Sequence, residues 1–298
     1  MYNSNNEFFM SPKNDYVFKK IFGDENNKDI LSSFLSCVIN EQINDVSILN
    51  NEITKENTAD KKSILDIRAT INDGVQIDIE IQLSRTIYMP ARSLYYWSKI
   101  YMEQLQIGQI YKKLNRTICI NILDFISTES QKYHSIYRLK ETEENFELTN
   151  LMEIHFIEIP KLKGYEKNDM LSQWINFINA DSREELKKMA IVNKNIDKAF
   201  DILNVMSQSK EERAAYLSRE MALHDEVTKL EEALQEGRQE GRQEGRQEGL
   251  EEGRQEGLEE GEKKKALEIA KNLLDILDNE TIAIKTGLTL DEIENLRK

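Results

Sequence analysis

The stretch Leu65-Asp66-Ile67-Arg68-Ala69-Thr70-Ile71-Asn72-Asp73-Gly74-Val75-Gln76-Ile77-Asp78-Ile79-Glu80-Ile81-Gln82-Leu83 decides the fold. Apolar and polar residues alternate on both sides of Asn72-Asp73-Gly74, which reads as two half-buried strands, Ser63 to Ile71 and Val75 to Leu83, joined by a tight turn. Turn length sets which side chains meet. A two-residue Asp73-Gly74 turn would place Asp66 opposite Ile81 and mix the two faces. A three-residue Asn72-Asp73-Gly74 loop, with Gly74 in the left-handed position of a bulge, pairs Ile71 with Val75 and collects every apolar side chain on one face. In that register Asp66 faces Glu80, Arg68 faces Asp78 and Thr70 faces Gln76.

This register brings the β-carbons of Asp66 and Glu80 to about 5 Å of each other. Two anions that close repel unless one is protonated or a cation lies between them. A hard divalent cation such as Mg²⁺ suits carboxylate oxygens, and Gln82, on the same face, adds a neutral amide to hold water or phosphate. The same alternation also fits the solvent side of a plain hairpin, with Asp78 and Arg68 as a surface ion pair.

Outward from the hairpin, Lys13 to Asn40 has helical spacing with a break at Gly23, and Ile43 to Leu49 is a short strand candidate. Pro90 to Gly108 reads as an aromatic-rich helix, and Arg116 to Asp124 as the next strand. Two further strands (Tyr133 to Leu139, Ile154 to Ile159) and several helices from Met170 to about Leu234 follow. The order α-β-β-β-α-β combines a hairpin with a crossover helix, which predicts an α/β fold with a mixed sheet flanked by helices. Arg92, Tyr96 and Lys99 recur at helical spacing, either as a phosphate-facing surface or as the exposed tips of an amphipathic helix. Asp15 is either a helix N-cap or a further carboxylate. His134 and His155 read as strand residues and His224 as helix surface, with no metal-ligand spacing among them. No Ser/His/Asp order and no phosphate-binding loop is present.

Leu65-Asp66-Ile67-Arg68-Ala69 followed by Ile77-Asp78-Ile79-Glu80-Ile81-Gln82, with the opening Lys13-Asn14-Asp15-Tyr16-Val17-Phe18-Lys19-Lys20-Ile21-Phe22-Gly23, resembles the recombination-promoting nuclease and transposase family of the PD-(D/E)XK superfamily. Arg92-Ser93-Leu94-Tyr95-Tyr96-Trp97-Ser98-Lys99 and Phe156-Ile157-Glu158-Ile159-Pro160-Lys161 strengthen the likeness. It implies a restriction-endonuclease-like core and metal-dependent hydrolysis of DNA phosphodiesters, linked to recombination or mobile elements. Carried over, Asp66 and Glu80 would be metal ligands, and Gln82 would stand at the superfamily's catalytic lysine. A glutamine carries no charge, so the stabilising cation must be the metal or a basic group from elsewhere. Arg92, Tyr96 and Lys99 would be DNA-phosphate contacts, and Asp15 an extra carboxylate. A non-catalytic DNA-binding or self-assembling interaction protein is the competing expectation.

The chain has 298 residues and a formal charge of -14, which argues against a uniformly basic nucleic-acid coat. Residues 231–298 carry 19 acidic and 11 basic side chains, so more than half of that charge is in the tail. There Gly237, Gly241, Gly245, Gly249, Gly253, Gly257 and Gly261 recur every fourth residue. Interior glycine costs a helix about 1 kcal/mol relative to alanine, so a linker or a marginal helix is expected. The expected organisation is a nuclease-like domain over 10–235, the repeat over 236–262 and a small helical module over 263–298, in which Thr289 and Glu292 form a capping box. Cys37 and Cys119 read as buried, inert thiols. The N-terminal residues lack a cationic, apolar leader and no long apolar run occurs, so a cytoplasmic protein without membrane contact is expected. A homodimer would supply two sites for cutting two strands.

Overall fold

The computed structural model describes residues 8–51, 65–162, 169–191 and 193–297. The start of the first expected hairpin strand, Ser63 and Ile64, lies outside the described residues, as does the N-terminal heptapeptide. The chain divides into two compact units, Met1–His224 and Asp225–Lys298.

In the first unit, α1 (Asp15–Phe22) and α2 (Lys28–Ile39) precede β1 (Val46–Ile48), β2 (Ile67–Ile71) and β3 (Val75–Gln82). The helix α3 (Met89–Glu103) then crosses to β4 (Thr117–Leu123), and β5 (His134–Tyr137) and β6 (Met152–Glu158) complete the strands. Helices α4 (Met170–Ile178), α5 (Arg183–Ala190) and α6 (Lys194–Gln208) follow. The six strands form one sheet in the order β1-β2-β3-β4-β6-β5, parallel across β3, β4 and β6 and antiparallel elsewhere. This is the mixed-sheet α/β architecture that the hairpin and crossover order predict.

The sheet's two faces differ. Ile67, Ala69, Ile71, Ile77, Ile79 and Ile81 join Ile118, Ile120 and Ile122 of β4 in the main core, packed against Phe18 and Phe22 of α1, Phe34 of α2 and Trp174 of α4. The opposite face carries a smaller core in which Met89 and Ile100 of α3 meet Cys119, Leu123, Ile154 and Phe156. A helix roofing the second face explains why Thr117–Leu123 is buried at every position, the polar Thr117 and Asn121 included. Cys119 is buried as expected, whereas Cys37 is only partly so.

The seven repeat glycines lie inside α7 (Lys210–Leu273), a helix of 64 residues. A Cβ placed at any of them would meet nothing within 4 Å, so backbone crowding does not demand glycine there. In the second unit α8 (Asn279–Thr286) and α9 (Leu290–Arg297) pack Ile282 and Ile293 with Ala270. Gly287, at φ 71°, terminates α8. The capping box is formed: the Thr289 backbone N–H donates to Glu292 Oε2 at 3.0 Å, and the Glu292 N–H to Thr289 Oγ1 at 3.3 Å. No helix of the described residues is long and apolar enough to cross a membrane.

Candidate active site

The hairpin has the three-residue-loop register: Ile71 pairs with Val75, Thr70 with Gln76 and Arg68 with Asp78. Gly74 sits at φ 92° and Asn72 at φ 43°. Asn72 tolerates that left-handed position because its side chain is anchored, accepting from the Asn44 N–H at 2.9 Å and donating to the Gln42 carbonyl at 3.1 Å. The ladder ends at Ile67 and Ile79. Just beyond it, side chains take over the bonds the backbones no longer exchange. The Asp66 N–H donates to Glu80 Oε1 at 3.0 Å, and the Ile81 N–H donates to Asp66 Oδ2 at 2.9 Å. Each carboxylate is thus fixed by the other's strand.

The polar row of β3 is not the solvent side of a hairpin. Asp78 and Glu80 are 1% and 3% exposed, because α3 covers them. The expected Asp78–Arg68 surface pair is replaced: Arg68 reaches Glu103 of α3 at 2.8 Å. Arg92, one turn into α3, bridges two site residues, donating to Glu80 Oε2 at 2.9 Å and to Gln82 Oε1 at 3.1 Å. Its guanidinium lies 5.2 Å from the centre of the Tyr96 ring. Lys99, further along the helix, lies 5.0 Å from the Tyr95 ring. The structure therefore gathers Asp66, Glu80, Gln82, Arg92 and Tyr96, with Lys99 farther along the same helix.

The first helix adds a cation that sequence reasoning did not single out. Lys19 Nζ is 2.8 Å from Asp66 Oδ1 and 3.9 Å from Asp15. The only sequence signal for Lys19 is its place on the flank of α1 away from the buried Val17, Phe18, Ile21 and Phe22. Asp15 is not the N-cap. That role belongs to Asn14, whose side chain accepts from the Tyr16 N–H at 3.0 Å. Asp15 is instead the first helical residue, ion-paired with Arg219 at 2.7 Å.

Burial pushes the Asp78 carboxyl up to about 7, with repulsion from Asp66 adding to it. Burial likewise drives Glu80 well above the usual carboxylate range, and the charges of Asp78 and Asp66 add to the effect. Asp78 Oδ1 is buried with no hydrogen-bond partner among the described residues. Oxygen-only donors, crowded anions and an orphaned carboxylate oxygen fit a hard cation. Among the described residues no cluster of three or more His, Cys, Asp or Glu is arranged to hold one.

On the opposite face of the sheet lies a second polar cluster. His155 Nε2 is 2.6 Å from Glu153 Oε1, and His155 Nδ1 is 2.8 Å from His134 Nε2. Arg116 and Arg138 close on Glu153 at 2.9 and 2.6 Å. Glu153 and His155 are two apart on β6, and the β5–β6 register brings His134 to them, a proximity invisible to spacing along the chain.

Residues 12–233 match the family profile described as PD-(D/E)XK nuclease family transposase. Neither a curated protein nor a solved structure gives a match.

Proposed function

The chain belongs to the PD-(D/E)XK nuclease family transposases, and from that premise we propose that it is a metal-dependent DNA endonuclease acting on mobile or recombining DNA. The observation that carries the reading is the interlocked pair Asp66 and Glu80, the Asp66 N–H donating to Glu80 and the Ile81 N–H to Asp66, beside Gln82 and Arg92. A pair of this kind on a buried sheet face is costly as plain structure and apt as a cation site.

Asp66 and Glu80 would hold a divalent cation of the Mg²⁺ type, with Asp78 behind them adding negative charge. When bound, that cation supplies Lewis-acid stabilisation of charge on a phosphodiester. The chain's own residues do the rest. Gln82 presents both a donor and an acceptor: its Oε1 accepts from Arg92 and its Nε2 donates to the Ser84 carbonyl at 3.3 Å. It can orient water or a phosphate oxygen, and it cannot supply charge. Arg92, at the gap between Glu80 and Gln82, and Lys19, at Asp66, stand where positive charge is needed in place of the superfamily lysine. Each cation pairs with one of the carboxylates and would face phosphate were a divalent cation held between them.

The test is nicking of supercoiled plasmid by the full chain. Relaxed circles should appear with Mg²⁺ and not with EDTA, and Asp66→Ala or Glu80→Ala should lower the rate by at least about a hundredfold, the scale of several kcal/mol of lost transition-state stabilisation. Equal cleavage with EDTA would remove the proposal.

A further inference from the structure

The outer flank of α3 is unusual in composition and placement. Residues 84–113 contain Arg85, Arg92, Lys99, Lys112 and Lys113 against a single acid, Glu103, in a chain of net charge -14. Glu103 is itself ion-paired with Arg68. Tyr88, Arg92, Tyr95 and Lys99 succeed one another at spacings of four, three and four residues, which on a helix is one stripe. Aromatic ring and cation alternate along it, starting at the carboxylate pair through Arg92. The rings are not core: Tyr88 is 70% and Tyr95 is 42% exposed. After α3, Tyr111 is 83% exposed and is followed directly by Lys112 and Lys113, also exposed.

We propose that this flank of α3 is a track for a single DNA strand, so that the carboxylate site works on unpaired rather than duplex DNA. The proposal rests on the nuclease reading above and names its substrate. Bases have two apolar faces, and in a duplex these are stacked on one another and closed to a protein's rings. A surface that meets only the duplex backbone can use a tyrosine's hydroxyl on phosphate but leaves its ring faces unused. A single strand offers phosphate for the cations and base faces for the rings. Tyr88 and Tyr95 are seven residues apart, about 10 Å along the helix axis, or roughly three steps of 3.4 Å between stacked bases. The local excess of positive charge selects a polyanion over an apolar protein partner for the same face.

Binding is measured by fluorescence anisotropy, with EDTA present so that nothing is cut, using the full chain and a labelled oligothymidylate or a labelled duplex of equal length. The single strand should bind at least about tenfold more tightly. Tyr88→Ala combined with Tyr95→Ala should weaken the single strand by about tenfold or more, with duplex binding changed less than about twofold. The corresponding Tyr→Phe pair should retain the wild-type preference, since a phenyl ring also stacks. Equal affinity for the two DNAs, or an alanine variant that binds the single strand as the wild type does, would overturn the proposal. So would a wild-type dimer that the alanine pair converts to a monomer, because the face would then belong to a second copy. Single-strand preference without Mg²⁺-dependent cleavage of either the oligothymidylate or the plasmid would uphold the track and remove the nuclease reading; cleavage without the preference would do the reverse.

Discussion

In the proposed reaction Lys19 and Arg92 take over, at the level of single side chains, what Gln82 cannot do. Each touches one of the two carboxylates, Lys19 at 2.8 Å from Asp66 and Arg92 at 2.9 Å from Glu80. Lys19→Gln should reduce plasmid nicking by about tenfold, as loss of one stabilising charge worth near 1.4 kcal/mol would, with the melting temperature little changed. Unchanged nicking would assign Lys19 a structural duty only. The histidine cluster gives a separate, pH-dependent outcome. Burial, aided by the neighbouring His155, lowers His134 to about 4. Burial pushes Glu153 up, yet its hydrogen bond to His155 and the charge of Arg116 outweigh that and hold it at about 2. In both cases the unfolded chain binds the proton first, so stability is full above the unfolded values and falls as pH drops. The loss runs from about 6.5 toward 4 for His134 and continues toward 2 for Glu153. Denaturant melts between pH 7 and 4 should show the first phase, and His134→Gln should flatten it. A wild-type profile that is level over this window would contradict the burial of a neutral His134. None of this was legible from the histidines' spacing, because strand pairing and not sequence proximity joins them.

Secondary-structure elements were the most readable scale, and the reason is periodicity. Alternation marked β2 and β3, and the requirement for one apolar face chose the three-residue loop, which is the register observed. What alternation could not foresee was the roof. A row of Gln, Asp and Glu looks solvent-facing until α3 lies across it, and the polar row that reads as surface is then buried against Arg92. The loop itself makes a prediction. A Cβ at Gly74 would stand 2.7 Å from Asn115 Nδ2 at a backbone φ of 92°. Gly74→Ala should therefore cost about 1 kcal/mol or more, read as a lower melting temperature. In α7 the expectation has the opposite sign. The repeat glycines have open space around a Cβ, so Gly241→Ala and Gly249→Ala should each add about 1 kcal/mol to helix stability, measured by circular dichroism on heating. A drop in helicity would mean that the glycines serve a close contact with another chain.

Across the whole molecule, bulk charge was the wrong scale for judging a DNA partner. The tail holds more than half of the -14, and the segment 84–113 carries five basic residues and one acid in its sequence. Segregation of this kind lets an acidic protein meet a polyanion through one face. It also limits the number of phosphates neutralised. With about three contacts the plot of log affinity against log salt for a single strand should have a slope near -2, and Lys99→Gln should make it shallower. A slope near zero would leave the basic face without a role in binding.

In the proposed reaction the negative charge of Asp66 and Glu80, and not merely their hydrogen bonds, performs the chemistry. Asp66→Asn and Glu80→Gln preserve shape and an oxygen acceptor for the Ile81 and Asp66 N–H groups, and the second removes a carboxylate whose ionisation burial opposes. Mg²⁺-dependent plasmid nicking by these two variants, beside the wild type and at matched folding, is the most direct measurement. The account predicts that both variants fold and that both lose nicking by at least about a hundredfold. Wild-type nicking by either variant would contradict it.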